Sequence, residues 1–103
     1  MTSDTLVDGL PHSDGEKIRI EKVQYANGAI ALRGWTEIGE PFATFSVNVV
    51  ASCEKLKKNQ TFMKTWSENE GMLEALQKAG IVGPTLFKVP CGHVEASAVE
   101  VLI

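Results

Sequence analysis

The sequence predicts an α+β fold, in which an antiparallel β-sheet (a β-meander) carries one packed α-helix in the order β-β-β-(β)-α-β-β. Short β-rich runs follow one another with tight turn signals between them, as in an antiparallel meander. One amphipathic stretch late in the chain ends at a glycine, which is typical of a single short helix. The absence of regular β-α alternation separates this pattern from a parallel βαβ fold.

Length and charge bound the organisation of the chain. Its 103 residues, 44% of them hydrophobic, are enough for one domain with a buried core. A formal net charge of −3 excludes both a strongly basic nucleic-acid-binding protein and a strongly acidic DNA mimic. The N-terminus lacks the features of a secretory signal, and no apolar run is long enough for a membrane span. We therefore expect a cytoplasmic protein without membrane contact.

The N-terminal segment differs from the rest in charge. Its acidic residues are Asp4, Asp8, Asp14 and Glu16, and it has no Lys or Arg. We interpret residues 1–16 as a flexible acidic arm and residues 17–103 as a single α+β domain. The alternative is that Leu6, Val7 and Leu10 anchor this segment, as a strand or short helix, on a partner.

Three consecutive strands open the predicted domain. Residues 17–25 and 29–36 flank Asn27-Gly28, a strong hairpin signal because both central residues of a type I′ turn need positive φ. After a second turn, Phe42–Val50 shows the cleanest alternation in the chain and predicts a third strand.

The hairpin signal also predicts a register. A two-residue turn pairs Tyr25 with Ile30 and Val23 with Leu32, on one face of the sheet. The apolar residues at the start of the first strand then fall on the other face. Either a bulge near Glu21-Lys22 corrects the phase or both faces are partly covered, and the sequence leaves these alternatives open.

The middle of the chain is polar before it becomes helical. Ala51–Gln60 contains Lys55, Lys57 and Lys58 and is interpreted as a solvated loop or short helix, because a phosphate-binding role would need more positive charge. Thr61–Trp66 is consistent with a short fourth strand.

A capping box at Ser67-Glu68-Asn69-Glu70 predicts the start of the helix. The buried stripe would consist of Met72, Leu73, Leu76 and Ala79, and Gly80 would close the helix. Thr85–Val89 and Val94–Ile103 are predicted as the last two strands.

No catalytic constellation or cofactor motif stands out, so we expect neither an enzyme nor a cofactor. Cys53, Cys91 and His93 supply too few ligands for a structural zinc site, and we expect no metal. Two cysteines without a signal segment indicate reduced thiols.

The candidate partner-binding residues are Trp66, Glu68, Asn69, Glu70 and Trp35. Both tryptophans are more typical of core-edge packing, but exposed tryptophans are frequent hot spots in protein interfaces. The two glutamates are more typical of cap and dipole residues at a helix start than of a separate site.

Four blocks of the sequence carry a resemblance to a known family. They are Tyr25-x-Asn27-Gly28-x-x-Ala31-Leu32, Gly39-Glu40-Pro41-Phe42-Ala43-Thr44-x-Ser46-Val47-Asn48, Lys64-x-Trp66-Ser67-Glu68-Asn69-Glu70-Gly71-Met72-Leu73-x-Ala75-Leu76, and Ala79-Gly80-Ile81-Val82. From about Tyr25 to the C-terminus, the chain resembles a domain-of-unknown-function family of small proteins carried by phages, plasmids and integrative elements. Residues 1–16 and 54–59 lie outside the resemblance, and the family usually has a different aromatic residue at the position of Trp66.

The resemblance implies a small accessory protein of a phage or other mobile genetic element, located in the cytoplasm of a bacterial host cell. Such proteins often inhibit bacterial defence, so we expect protein–protein binding of the anti-CRISPR or anti-restriction type, with a host nuclease or CRISPR effector as partner and no direct contact with nucleic acid. The alternative is a structural or regulatory homodimeric module without an inhibitory role, formed through an edge strand such as Val94–Ile103.

Overall fold

The structure, a computed structural model, describes residues 5–103. The strands in this range are β1 (Thr5–Val7), β2 (Ile18–Gln24), β3 (Ile30–Trp35), β4 (Pro41–Thr44), β5 (Ser46–Val47), β6 (Gln60–Met63), β7 (Phe87–Cys91) and β8 (Val94–Glu100). The helix α1 spans Met72–Lys78, and short 3₁₀ helices lie at Val50–Lys55 and Ser67–Asn69. The predicted α+β class, with antiparallel strands and one α-helix, is confirmed.

The strands form two four-stranded antiparallel sheets, in the orders β1-β2-β3-β4 and β5-β6-β8-β7. The predicted third strand, Phe42–Val50, is interrupted at Phe45, which is fully buried. The N–H of Phe45 donates to the carbonyl of Leu32 in the first sheet at 2.8 Å, and its carbonyl accepts from the N–H of Lys64 beside the second sheet at 2.8 Å. The chain therefore passes from one sheet to the other at this residue.

The β2–β3 hairpin has a different register from the predicted one. Val23 pairs with Ala31, and a five-residue loop rather than a two-residue turn connects the strands. The Gly28 N–H donates to the Tyr25 carbonyl at 2.9 Å, and of the two turn residues only Gly28 has positive φ. A type I′ turn needs two such residues, so the hairpin adopts the longer loop.

This register removes the phase problem. The pairs Ile20–Gly34 and Lys22–Leu32 place Ile18 and Ile20 of β2 on the same face as Ile30 and Leu32 of β3, which is the core face. Pairing from Arg19 to Gln24 is uninterrupted, so the structure contains no bulge at Glu21-Lys22.

The described part of the predicted arm, residues 5–16, is built into the fold. β1 pairs with β2 from Thr5–Ile20 to Val7–Ile18, and Val7 and Leu10 are each 4% exposed within the main core. The hydroxyl of Ser13 donates to the carbonyl of Leu10 at 2.7 Å. Backbone pairing and two buried side chains therefore hold residues 5–16 on the domain, although their polar composition predicted an arm. The folded domain begins before the boundary predicted at residue 17. Residues 1–4 lie outside the described residues.

The main core lies between the inner faces of the two sheets and the helix. Its fully buried members include Ile18, Ile20, Leu32, Phe45, Met63, Leu76 and Val99. A smaller cluster, made of Phe62, Val89, Ala96 and Ala98, lies on the outer face of the second sheet.

The helix starts later than the capping box predicted. Ser67–Asn69 forms a separate 3₁₀ turn, and α1 begins after Gly71, which has φ +85° and no side-chain cap. The Ser67 carbonyl, not its hydroxyl, accepts from the Glu70 N–H at 3.1 Å. The cause is local, since Asn69 is drawn into the core and Gly71 then reverses the chain before the helix.

The predicted end of the helix at Gly80 is confirmed. Gly80 has φ +78° and its N–H donates to the Gln77 carbonyl at 3.1 Å, while the Ile81 N–H donates to the Leu76 carbonyl at 3.0 Å. These two bonds form a Schellman motif, which satisfies the last carbonyls of the helix. Met72, Leu73 and Leu76 are buried as predicted, whereas Ala79 is exposed.

The last strand is interior, which contradicts its predicted role as a dimer edge. β8 pairs with β6 on one side and with β7 on the other. Its central backbone groups are already hydrogen-bonded within the chain, so Val94–Ile103 does not offer the free ladder that strand pairing between copies requires.

Candidate functional site

The five predicted partner-binding residues do not form one site. Trp35 ends β3 in the first sheet, whereas Trp66 packs against the cluster on the second sheet. Glu68 and Glu70 are exposed, whereas Asn69 is only 1% exposed. Each position therefore needs its own account.

Trp35 belongs to a polar network on the outer face of the first sheet. Its indole Nε1–H donates to Glu21 Oε1 at 3.2 Å, and the guanidinium of Arg19 lies 5.8 Å from the ring centroid. Arg33 Nε lies 3.5 Å from the same Glu21 oxygen. These cross-strand contacts account for Trp35 without a partner, because its N–H is satisfied and its ring is half-buried.

Asn69 has a structural role that removes it from the candidate contact surface. Its Nδ2 donates to the carbonyl of Thr44 at 2.7 Å. Thr44 ends β4, so this bond ties the segment before the helix to the end of the first sheet. A side chain that is 1% exposed contributes no contact area to a partner.

Glu68 forms an exposed ion pair with Lys64, whose Nζ lies 2.8 Å from Glu68 Oε1. The hydrogen bond from Lys64, followed by the Glu68 backbone N–H and the charge of Lys64, holds the pKa of Glu68 below its usual value. The Glu68 side chain is 67% exposed, so a partner can reach it.

Trp66 is the predicted residue with the clearest surface context. It packs with other half-buried side chains over the small cluster of the second sheet. We call this the outer apolar surface, and its members are Val47, Val49, Leu56, Trp66, Phe87 and Cys91. Phe87 stands edge-on to the buried Phe62, with ring centroids 6.1 Å apart. Phe62 and Phe87 thus form the aromatic base of this surface.

Three segments that carry acidic residues meet at one end of the first sheet. Glu16 Oε1 accepts from the Glu37 N–H at 2.8 Å, which joins residues 8–16 to the β3–β4 turn. A Cβ placed on Gly71 would lie 3.4 Å from Pro11 Cγ, so residues 8–16 also reach the start of the helix. We call this region the acidic end, and the acidic residues of its three segments are Asp8, Asp14, Glu16, Glu37, Glu40, Glu68 and Glu70.

At the other end of β2 lies an open groove of about 840 Å³. One wall is the β2–β3 hairpin with its loop, and the other is the segment from Cys53 to Gln60. Three lysines line it, namely Lys22 from the hairpin and Lys57 and Lys58 from the opposite segment. We call this the cationic groove. Lys57 and Lys58 are adjacent in the sequence. Lys22 joins them in one groove only because the fold places the hairpin opposite their segment.

The described residues offer no metal site and no membrane-spanning helix. Across residues 5–103, no three His, Cys, Asp or Glu side chains stand close enough together to hold a metal ion. Cys53 lines the cationic groove and Cys91 lies on the outer apolar surface, both as half-buried free thiols. In the same range, no helix combines the length and apolar character that crossing a membrane requires.

Comparisons of the chain with protein-family models, with curated proteins and with solved structures give no match. The geometry of the outer apolar surface, the acidic end and the cationic groove is therefore what bears on function.

Proposed function

We propose that this protein acts by binding another protein, as a small accessory protein of a phage or other mobile element that inhibits a nuclease or CRISPR effector of bacterial defence. The observation that carries the proposal is the outer apolar surface, where Trp66 and other half-buried hydrophobic side chains pack over one buried cluster. The defence target itself follows from the resemblance in sequence and not from geometry.

The outer apolar surface has the composition of an interface centre. Tryptophan and phenylalanine supply large apolar contact areas, and such residues dominate the binding energy of many protein complexes. The exposed Lys64–Glu68 pair flanks Trp66 in the sequence, and interfaces commonly surround an apolar centre with such polar groups. Val50 and Leu86, which are 63% and 49% exposed, extend the apolar character next to Val49 and Phe87.

The acidic end supports a partner with a basic surface. Glu68 and Glu70 follow Trp66 closely, and further carboxylates continue along the residue 8–16 segment. Enzymes that act on nucleic acids present Arg and Lys to phosphates, so carboxylates here would pair with those groups and raise the association rate. The contact set that we propose is therefore Trp66, Glu68 and Glu70, without Asn69 and Trp35.

The decisive experiment compares two tryptophan variants. Tagged protein is used to recover host proteins from a bacterium with CRISPR and restriction systems, and each recovered defence enzyme is then purified and assayed for inhibition. We expect Trp66→Ala to abolish recovery and inhibition, and Trp35→Ala to preserve both. Circular dichroism confirms that both variants fold. Equal inhibition by the two variants would refute the outer apolar surface as the contact.

The contribution of charge is tested separately. We expect the double variant Glu68→Lys, Glu70→Lys to weaken inhibition and to lower the association rate, most strongly at low salt. The control is Glu54→Lys, Glu95→Lys, which changes the net charge equally at exposed positions outside the acidic end. If both double variants weaken inhibition alike, net charge rather than the acidic end is responsible.

The edge strand predicted for the homodimeric alternative is not an edge, because β8 lies between β6 and β7. Light scattering after size exclusion separates the two functions. We expect a monomer, and a stable dimer without recovery of a defence enzyme would favour the structural or regulatory module.

A further inference from the structure

The cationic groove combines positive charges from two distant parts of the chain. Lys22 lies on β2, whereas Lys57 and Lys58 lie between the 3₁₀ helix at Val50–Lys55 and β6. The fold thus places ammonium groups on both walls of one groove of about 840 Å³, which is within the range of small-molecule sites.

Within the described residues 5–103, no Asp or Glu side chain lines the groove. In the same range, no side-chain carboxylate pairs with Lys22, Lys57 or Lys58. Three like charges on facing walls of an acidic protein repel one another, and an anion between them relieves that repulsion.

Lys22 is held in place rather than free to swing away. Its Nζ donates to the main-chain oxygen of Ile103 at 2.9 Å, and it is partly buried. An ammonium group has three N–H donors, so two remain for a ligand. The hairpin wall therefore presents a fixed positive group, while Lys57 and Lys58 on the opposite wall are exposed and adaptable.

The lining indicates how an anion would be held. It contains no Arg, so the anion would be bound by lysine ammonium groups, which bind phosphates as point charges. It contains no aromatic residue on which a base could stack, so single-stranded nucleic acid is a poor fit. Val23 and Leu56 provide aliphatic contacts for the body of a small molecule.

We propose that the cationic groove binds a small compound that carries two or more phosphate groups. Two phosphates match the placement of the lysines on two walls, because each wall then neutralises its own group. Such a compound is either an inorganic polyphosphate or a nucleotide polyphosphate, and both share the phosphate chain that the lysines recognise.

The test uses Cys53 as a reporter, because it is a half-buried thiol in the lining. In a Cys91→Ser protein, Cys53 is the sole thiol, and its alkylation by the neutral reagent N-ethylmaleimide is followed with increasing tripolyphosphate or ATP. We expect both probes to slow alkylation at moderate salt, and calorimetry to give matching affinities. ATP binding more tightly than tripolyphosphate would identify a nucleotide as the preferred source of the phosphate chain, and the reverse an inorganic polyphosphate.

Matched lysine variants decide whether the groove is responsible. We expect Lys57→Ala, Lys58→Ala to raise the dissociation constant about tenfold. Lys78→Ala, Lys88→Ala removes the same charge from exposed positions outside the groove and should leave the affinity unchanged. Lys22→Met tests the hairpin wall and should weaken binding comparably.

Three outcomes would overturn the proposal. One is the absence of protection and of calorimetric binding with both probes. Another is an equal loss of affinity in the two double variants, since net charge alone would then explain binding. The third is binding of a short DNA duplex with no binding of either phosphate probe.

Discussion

The ring of Phe45 lies directly over Gly34, so that a Cβ built on Gly34 would stand 2.7 Å from Phe45 Cζ. Ile18 Cγ2 would lie 2.9 Å from the same Cβ. Gly34 sits in β3 without positive φ, so it is required for space and not for backbone freedom. The close approach lets the fully buried Phe45 enter the core at the point where the chain changes sheets.

Gly34→Ala should therefore destabilise the protein by about 1–3 kcal/mol through overpacking. Gly83→Ala is the matched control, because its new Cβ would meet nothing nearer than the Glu100 carbonyl oxygen at 3.9 Å. We expect the control to change stability by less than about 1 kcal/mol. Chemical denaturation measures both, and equal effects would contradict the packing of Phe45 on Gly34.

Asn69 provides a test of a buried polar contact. Asn69→Ala should cost about 1–3 kcal/mol, since the Thr44 carbonyl loses its donor. Asn69→Asp should cost more at neutral pH, because a buried carboxylate would face that carbonyl oxygen. Glu70→Ala, at the exposed neighbouring position, is expected to stay within about 0.5 kcal/mol of the parent. An unchanged denaturation midpoint in Asn69→Ala would contradict the stabilising role of the buried hydrogen bond to Thr44.

Ser46 links the hairpin loop to the inter-sheet crossing. Its Oγ accepts from the Leu32 N–H at 2.9 Å and is hydrogen-bonded to the Tyr25 hydroxyl at 2.8 Å. Ser46→Ala should cost about 1–3 kcal/mol, because it leaves a buried N–H without an acceptor, and Tyr25→Phe should cost less. A double-mutant cycle should show that the two effects are not additive, and strict additivity would exclude the Tyr25–Ser46 bond.

The Lys64–Glu68 pair predicts an acid-range effect. Because the folded-state pKa of Glu68 is lowered, the pair stabilises the protein above the unfolded-state pKa, and this contribution is lost as the pH falls through the folded-state pKa. Lys64→Met should raise the pKa of Glu68 towards its usual value, as followed by NMR titration. Lys78→Met should leave it unchanged. The effect on stability is small, because the pair is exposed to solvent.

Local sequence signals located the β2–β3 loop and the end of the helix, because each depends on a few neighbouring residues. They did not predict the break at Phe45 in the third strand or the later start of the helix. They did not predict the β2–β3 register either, since Asn27-Gly28 suits two loops of different length. Burial of Ile18 and Ile20 together with Leu32 is compatible with only one of them.

The candidate sites show the same division. Trp66, Glu68 and Glu70 could be selected from residue type, but the burial of Asn69 depends on Thr44, which lies far away in the chain. The sequence did not predict the cationic groove, because Lys22 lies far from Lys57 and Lys58 in the chain and no local pattern connects them. Residues 5–16 were predicted to be part of an arm because they contain few apolar residues. In the structure Val7 and Leu10 are buried, and the edge of β2 pairs with β1.

The crossing at Phe45 has a consequence for how the molecule opens. Residues 41–47 provide a strand to each sheet, so loosening either sheet removes a strand from the other. The slowest-exchanging amides of β3 and β6 should therefore share one opening free energy, equal to that of global unfolding. We therefore expect the two sheets to open as a single cooperative unit, with Phe45 as the residue through which each depends on the other.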